Sequence, residues 1–278
     1  MLTETPKMND LNSIPKVSIV MPAYKSASTL FRSIQCVVKQ TFRNWELWVL
    51  MDGASTEESS IVNEWCNKDK RIRPVMSLKH RGVVRMRNLG LRLSRGEWIA
   101  FCDADDYWLP NKLQLQLNLA NKKDCEIVFS NFYFLYPGTP LKKRFVRNKS
   151  EVTLSTLYRV NGIPMSTSMI KRSAIITLFK ELPNQHIHED YLFWLDNFKD
   201  KDHMRAFGLK QATAYITIPS NSRSSNIIQS ILSHGYVLKW VGLSPFSIIQ
   251  NMIFYLFLAL KKRYEEKPIT CDLTVDLE

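Results

Sequence analysis

Three carboxylates, Asp103, Asp105 and Asp106, stand within four positions in "GEWIAFCDADDYWLP", directly after the apolar run Trp98 to Cys102. Like charges packed so closely raise one another's proton affinity unless something relieves them. A hard divalent ion is one relief, because Mg²⁺ or Mn²⁺ takes one or two protein carboxylates and completes its shell with phosphates and water. The cluster then suits the clamping of a diphosphate. A solvated acidic turn capping the helix that opens near Pro110 would use the same residues. An EF-hand would not, since Trp108 stands where that loop needs Gly and Gln114 where it needs its closing Glu. A second acidic pair, Glu189 and Asp190, opens the amphipathic stretch "EDYLFWLDNF". Acids there complement the N-terminus of a helix.

The elements that must position these acids alternate in type. "VSIVM" and "WELWVLM" read as strands, closed by Pro22 and Gly53, and "IRPVM" and Trp98 to Cys102 read as two more. Between them, the helical spacings are Leu30, Phe31, Ile34, Val37, Val38; then Ile61 and Trp65; then Val83, Met86, Leu89, Leu93. This rhythm predicts a largely parallel, doubly wound α/β sheet, in which ligands bind beyond the carboxyl ends of the strands. "PAYKS", "DGAST" and "DADD" all fall at such ends, so three loops should converge on one crevice. Further on, "CEIVFSNFYFLY" reads as a strand and "STSMI" as a short buried one.

Composition narrows the classes. The chain of 278 residues carries a net charge of +12, which attracts anions. Five cysteines without a CxxC pair point to a reducing compartment rather than a disulfide scaffold. The polar N-terminus has no apolar h-region, so no secretory signal is expected. Arg81, Arg85, Arg87, Arg92 and Arg95 recur along one helical stretch, as a nucleic-acid binder would want, yet no nucleic-acid module accompanies them. Nucleic acid is therefore not the expected partner. A zinc-protease HExxH pattern on His188 and Glu189 is absent, because Leu192 and Phe193 follow, and no GxGxxG or P-loop follows any strand.

Three blocks then carry a resemblance. "VSIVMPAYKSASTLFRSIQCVVKQTFRNWELWVLMDGAST", "GVVRMRNLGLRLSRGEWIAFCDADDYWLPNKL" and "HEDYLFWL" resemble the family 2 glycosyltransferases, nucleotide-sugar enzymes of the GT-A fold. The likeness covers about residues 15 to 225 and is greatest to bacterial enzymes that build O-antigen, capsule or teichuronic-type polysaccharides. It implies a GT-A (Rossmann-like) α/β fold, with a mostly parallel twisted sheet flanked by helices and a helical C-terminal tail. It implies a metal-dependent, inverting transfer of a sugar from a nucleotide-sugar, a UDP-sugar above all, to a saccharide acceptor carried on a lipid. Asp105 matches the metal-binding member of the Asp-x-Asp motif, with Asp103 at its other end and Ala104 beside the ribose, and Mn²⁺ or Mg²⁺ is the implied cofactor. Asp52 matches the acid that hydrogen-bonds the uracil edge, with Gly53 where a second Asp is common. Pro22 and Tyr24 match the loop over the nucleobase, with Lys25 replacing the usual Asn. Arg87 matches a cation near the nucleotide, Met86 standing in place of the family's Ala. Asp190 matches the catalytic base, with Glu189 orienting the acceptor or tuning its neighbour.

Trp108 is a sugar-stacking face or a core side chain, and Thr167, with Ser166 and Ser168, is a lining of the sugar pocket or a set of structural strand-edge hydroxyls. Residues 1–14 are expected as a flexible segment, 15–225 as the catalytic domain, 226–267 as a helical region that lies on a membrane or packs on the domain, and 268–278 as a tail. In that region Trp240 to Leu260 is free of charge, but Ser244, Pro245, Ser247, Gln250 and Asn251 interrupt it, and the apolar core Met252 to Leu260 is too short to span. Followed by Lys261, Lys262 and Arg263, it reads as an interfacial helix on an anionic cytoplasmic leaflet. The protein is expected to be cytoplasmic and peripheral on the inner membrane, with oligomerisation open. The Gln-x-x-Arg-Trp block of processive synthases is absent. The competing readings are a nucleotidyltransferase acting on sugar phosphates and a non-catalytic partner in a polysaccharide assembly complex.

Overall fold

A computed structural model describes residues 14–136, 138, 141–181, 188–199, 204–218, 227–265 and 269–270, without the side chains of 227–229 and 259–265. Apart from Ile14, the expected N-terminal segment lies outside these residues, as do the end of the tail, the 225/226 boundary and one of the five cysteines, Cys271.

Four strands form the parallel core: β1 (Val17–Ala23), β2 (Trp45–Asp52), β3 (Ile72–Ser77) and β4 (Trp98–Phe101), in the order β3-β2-β1-β4. Their crossovers are helices α1 (Ala27–Val38), α2 (Thr56–Lys68) and α3 (Val83–Leu93). Successive β1 side chains point to opposite faces. Val17, Ile19 and Met21 pack with Leu30 and Ile34 of α1 and with Val62 of α2, while Val20 packs with Leu50, Met86 and Leu91. Gly90 lets α3 press against the sheet, since a Cβ there would meet Val20 Cγ1 at 2.5 Å and Leu50 Cδ1 at 2.8 Å.

The parallel arrangement holds for this half. Beyond β4 the sheet continues through the antiparallel β9 (Met169–Lys171) to β6 (Ile127–Tyr136), β7 (Lys142–Val146) and β11 (Ile269–Thr270). The long β10 (Ala206–Thr217) pairs with β6 and with the two-residue strands β5 (Tyr107–Trp108) and β8 (Glu151–Val152). α4 (Lys112–Lys123) covers one face, while α5 (Leu154–Leu157) and α6 (Glu189–Lys199) contribute to the other. Tyr191 to Asn197 and Phe198 are all buried, so α6 is enclosed on every side rather than amphipathic as its sequence reads.

The predicted arginine stripe does not exist. α3 spans only Val83–Leu93; Arg85 pairs with Glu181, Arg87 is buried between two acids, and Arg95 pairs with Glu46 at 3.1 Å beyond the helix end. The uncharged run starts at the last residue of α7 (Ile227–Trp240), crosses a break with Gly242 at positive φ, and continues into α8 (Pro245–Glu265). Pro245 suits the first turn of α8, and the Ser244 hydroxyl accepts from Ser247 N at 3.3 Å. No described helix is long and apolar enough to cross a membrane.

Candidate active site

Each strand tip of the parallel set delivers a piece of one crevice of about 960 Å³. β1 supplies Pro22, Ala23 and Tyr24, β2 supplies Asp52, the segment after β4 supplies Asp103, Ala104 and Asp105, and α6 supplies Glu189. The expected convergence of three loops is thus observed.

Local chemistry fixes these loops. α2 begins with a capping box, in which Ser55 Oγ accepts from Glu58 N at 3.1 Å and the Glu58 carboxylate accepts from Ser55 N at 3.0 Å. The same carboxylate accepts from Ser26 N at 2.8 Å, tying the loop after β1 to the start of α2. The Ala104 carbonyl accepts from Thr29 and Ser33 hydroxyls, each at 2.8 Å, which pins the acidic turn to α1. Asp103 N donates to Ser166 Oγ at 3.0 Å.

Asp52 is buried and holds the segment that leads into α3. Its Oδ1 accepts from Arg81 N at 2.6 Å, its Oδ2 from Gly82 N at 2.8 Å, and Oδ2 also meets His80 Nδ1 at 2.8 Å. Gly82 takes a positive φ of 91°, which a side chain would strain.

Arg87 joins the two acidic clusters. Its Nη2 donates to Asp103 and its Nη1 to Glu189, both at 2.9 Å, and its guanidinium lies over the Phe179 ring. Burial alone would lower its proton affinity, but Asp103 and Glu189 outweigh that and raise it. Arg87 therefore lines the crevice with its charge committed to positioning two carboxylates. Asp190 follows Glu189, half-buried, with Oδ2 accepting from Asn161 Nδ2 at 3.2 Å and Oδ1 from Tyr191 N at 2.8 Å.

The acidic turn is electrostatically uncomfortable. Burial, then the neighbouring Asp103, push the Asp105 carboxyl up to about 6. Burial, then Asp105 and Asp103, also raise Asp106, which accepts from Thr217 N at 2.8 Å as a pin between the turn and β10. A divalent cation fits this donor set: hard oxygens, negative charge in excess of the one nearby guanidinium, and an open crevice beside Asp105. Among the described residues no three metal-ligating side chains form a cage. Any ion here would complete its shell with substrate and water.

Two expected pocket residues lie elsewhere. Trp108 is 1% exposed, because β5 pairs with β10 and turns its indole into the core, where Nε1 donates to Ser166 O at 2.8 Å. Thr167 is fully buried in a 3-10 turn, its hydroxyl donating to Pro164 O and its carbonyl accepting from Gln116 Nε2, each at 2.8 Å. Ser166 and Ser168 share that burial. Strand-adjacent hydroxyls beneath a loop serve the loop.

The crevice also includes His80, Lys180, Glu181 and Thr217, which the motifs did not single out. Lys180 pairs with Asp196 at 2.7 Å, and Phe179 beside it is held by Asn88 through bonds of 2.8 and 2.9 Å. Asn88 follows Arg87 on α3 and carried no expectation in the sequence.

Fold and crevice together define a GT-A glycosyltransferase. The description "Glycosyl transferase family 2" matches residues 18–179, and the chain belongs to that family. An Escherichia coli relative, the UDP-Glc:alpha-D-GlcNAc-diphosphoundecaprenol beta-1,3-glucosyltransferase WfgD, is 30% identical over 88% of this chain and 94% of its own. The crystal structure of S. aureus TarS 1-349 in complex with UDP-GlcNAc superposes with a TM-score of 0.66 at 19% identity, covering 87% of this chain and 71% of that one. The mannosyltransferase PcManGT from Pyrobaculum calidifontis, in complex with GDP-Man and Mn²⁺, gives 0.64 at 15% identity over 90% and 71%.

Proposed function

We propose that the chain transfers a sugar with inversion from a UDP-sugar to a hydroxyl of a saccharide carried on a polyprenyl diphosphate or lipopolysaccharide, in the assembly of a bacterial surface polysaccharide. The observation that carries this reading is the meeting of Asp52, Asp103, Asp105 and Glu189 in one crevice. WfgD, by its description, uses UDP-Glc and a diphosphoundecaprenol-linked acceptor.

In this reading Asp105, with Asp103 beside it, holds Mn²⁺ or Mg²⁺. The ion supplies charge neutralisation for the diphosphate leaving group. Asp52 and Tyr24 receive the base, and Pro22 and Ala104 border the nucleoside. Asp190 takes the acceptor proton as the acceptor oxygen bonds to the anomeric carbon and the carbon–oxygen bond to the diphosphate breaks on the opposite face. Asn161 and the Tyr191 N–H orient that carboxylate. Arg87 keeps Glu189 and the Asp103 end of the acidic turn at a fixed separation.

The catalytic unit in this reading runs over residues 15–225, and 226–267 dock it to the cytoplasmic leaflet. α8 presents Phe246, Ile249, Ile253, Leu256 and Phe257 outward on one face, and α7 adds Leu232, Tyr236 and Trp240. Exposed Lys239 and the run Lys261 to Arg263 suit an anionic surface.

The test is Asp190→Asn. UDP binding should persist while kcat for sugar transfer falls by about a hundredfold or more. Near-normal turnover would move the base elsewhere.

A further inference from the structure

The nucleobase end of the crevice is already filled by a side chain. The Tyr24 and His80 rings stack with centroids 4.0 Å apart and 23° between planes. His80 Nδ1 reaches Asp52 Oδ2 at 2.8 Å, and since a carboxylate only accepts, that nitrogen carries the proton. Tyr24 and His80 line both the crevice and an adjoining hollow of about 660 Å³ bounded by Gly53, Ser55 and Leu78. The stacked pair stands where the two spaces meet. A base inserted between the rings would need roughly twice their present separation.

We propose that His80 is an internal stand-in for the nucleobase, one that the incoming donor must displace. Resting on the proposed UDP-sugar reading, this assigns each contact of the imidazole to a contact of uracil. A flat ring covers Tyr24, and a ring N–H meets the acceptor on Asp52 that uracil N3–H would use. The side chain is free to leave, being 53% exposed, between Lys79 and Arg81 on the connection from β3 to α3. The backbone does not have to follow it. Asp52 Oδ1 still accepts from Arg81 N, and Oδ2 from Gly82 N, after the imidazole has swung out. The connection thus stays in place while one side chain exchanges with the ligand. The occupied form lowers apparent donor affinity by the fraction of molecules in which the slot is open. It also keeps Tyr24 and Asp52 satisfied between turnovers, so the crevice holds its shape without nucleotide.

Titration calorimetry of UDP and of inorganic pyrophosphate, each with Mn²⁺, on the wild type, His80→Ala and His80→Phe decides the matter. His80→Ala should bind UDP more tightly, by about tenfold if the stack is closed in nine molecules of ten, with pyrophosphate affinity unchanged. His80→Phe, which keeps a ring and loses the N–H, should fall between. Unchanged or weaker UDP binding by His80→Ala would overturn the proposal, because the imidazole would then be a wall of the base pocket. Equal tightening for pyrophosphate would overturn it as well, since the effect would not lie at the base. If neither wild type nor His80→Ala binds UDP while both bind pyrophosphate, the UDP-sugar reading falls and takes the stand-in with it. That pattern is distinct from failure of the stand-in alone, where the wild type binds UDP at least as tightly as the variant.

Discussion

The donor crevice and the two C-terminal helices solve opposite problems. Around the crevice, charge is buried and almost every carboxylate has a named donor: Arg87 for Asp103 and Glu189, backbone N–H groups for Asp52, Thr217 N for Asp106. Asp105 differs: burial and Asp103 hold its carboxyl high despite a bond from its own backbone N–H. On α7 and α8 the exception is apolar: Phe246 is 79% and Phe257 65% exposed, while the opposite face of α7 buries Val237, Leu238 and His234. The two regions differ in the kind of surface they leave open, carboxylate in one and apolar in the other. In the proposed reading a divalent cation meets the first and lipid the second.

The largest expected effect breaks the first half of the comparison. Asp105→Ala should abolish Mn²⁺-dependent UDP binding in calorimetry, and equal affinity with and without EDTA would remove the metal role. The sign of the pH dependence follows from the raised carboxyl. Folded Asp105 titrates near 6 and the unfolded residue in the ordinary carboxylate range, so the ligand-free fold takes up a proton, and gains stability from this residue, as pH falls through that window. Protons and metal therefore compete, and Mn²⁺-supported UDP binding should weaken below about pH 6.

A smaller effect tests the second half. The triple variant Phe246→Ser, Ile253→Ser, Phe257→Ser should lower binding to vesicles rich in anionic phospholipid by about tenfold or more, each side chain removing apolar area from the interface. Its UDP affinity should match the wild type. Unchanged sedimentation with vesicles would leave that face to another protein surface.

Legibility in the sequence follows the same division. The strand-helix rhythm and the acidic loops were readable because strand ends in a parallel sheet share one edge, so local pattern sets the global position of Asp52, Asp103 and Asp105. Glu189 was readable only through the resemblance, since no local pattern says that α6 returns to that edge. Trp108 is buried because β10, distant in sequence, pairs with β5, and Thr167 because its carbonyl accepts from Gln116 of α4; nothing near either residue in sequence announces these contacts. His80 carries no motif at all. Its meaning comes from Tyr24 and Asp52, which lie on two other strand tips.

The smallest effect concerns the floor beneath the acidic turn, where a buried lysine has no carboxylate partner among the described residues. Lys112 is fully buried, its ammonium 4.3 Å from the Trp108 ring centroid and bonded to Gln116 Oε1. Burial lowers its proton affinity to about 7. The unfolded chain keeps this lysine protonated to its ordinary alkaline value, so between about 7 and that value the unfolded state binds more protons. Stability should therefore rise with pH across that window, and the full cost of charging should be present below it. Lys112→Met keeps the length of the side chain and removes the charge, a change that is often neutral or stabilising for buried ions. Melting at pH 7 should rise by about 2–4 °C and the alkaline increase should vanish. A fall of several degrees would mean that the contacts to Trp108 and Gln116 outweigh desolvation, because Gln116 also donates to the Thr167 carbonyl and would lose its orientation with the lysine.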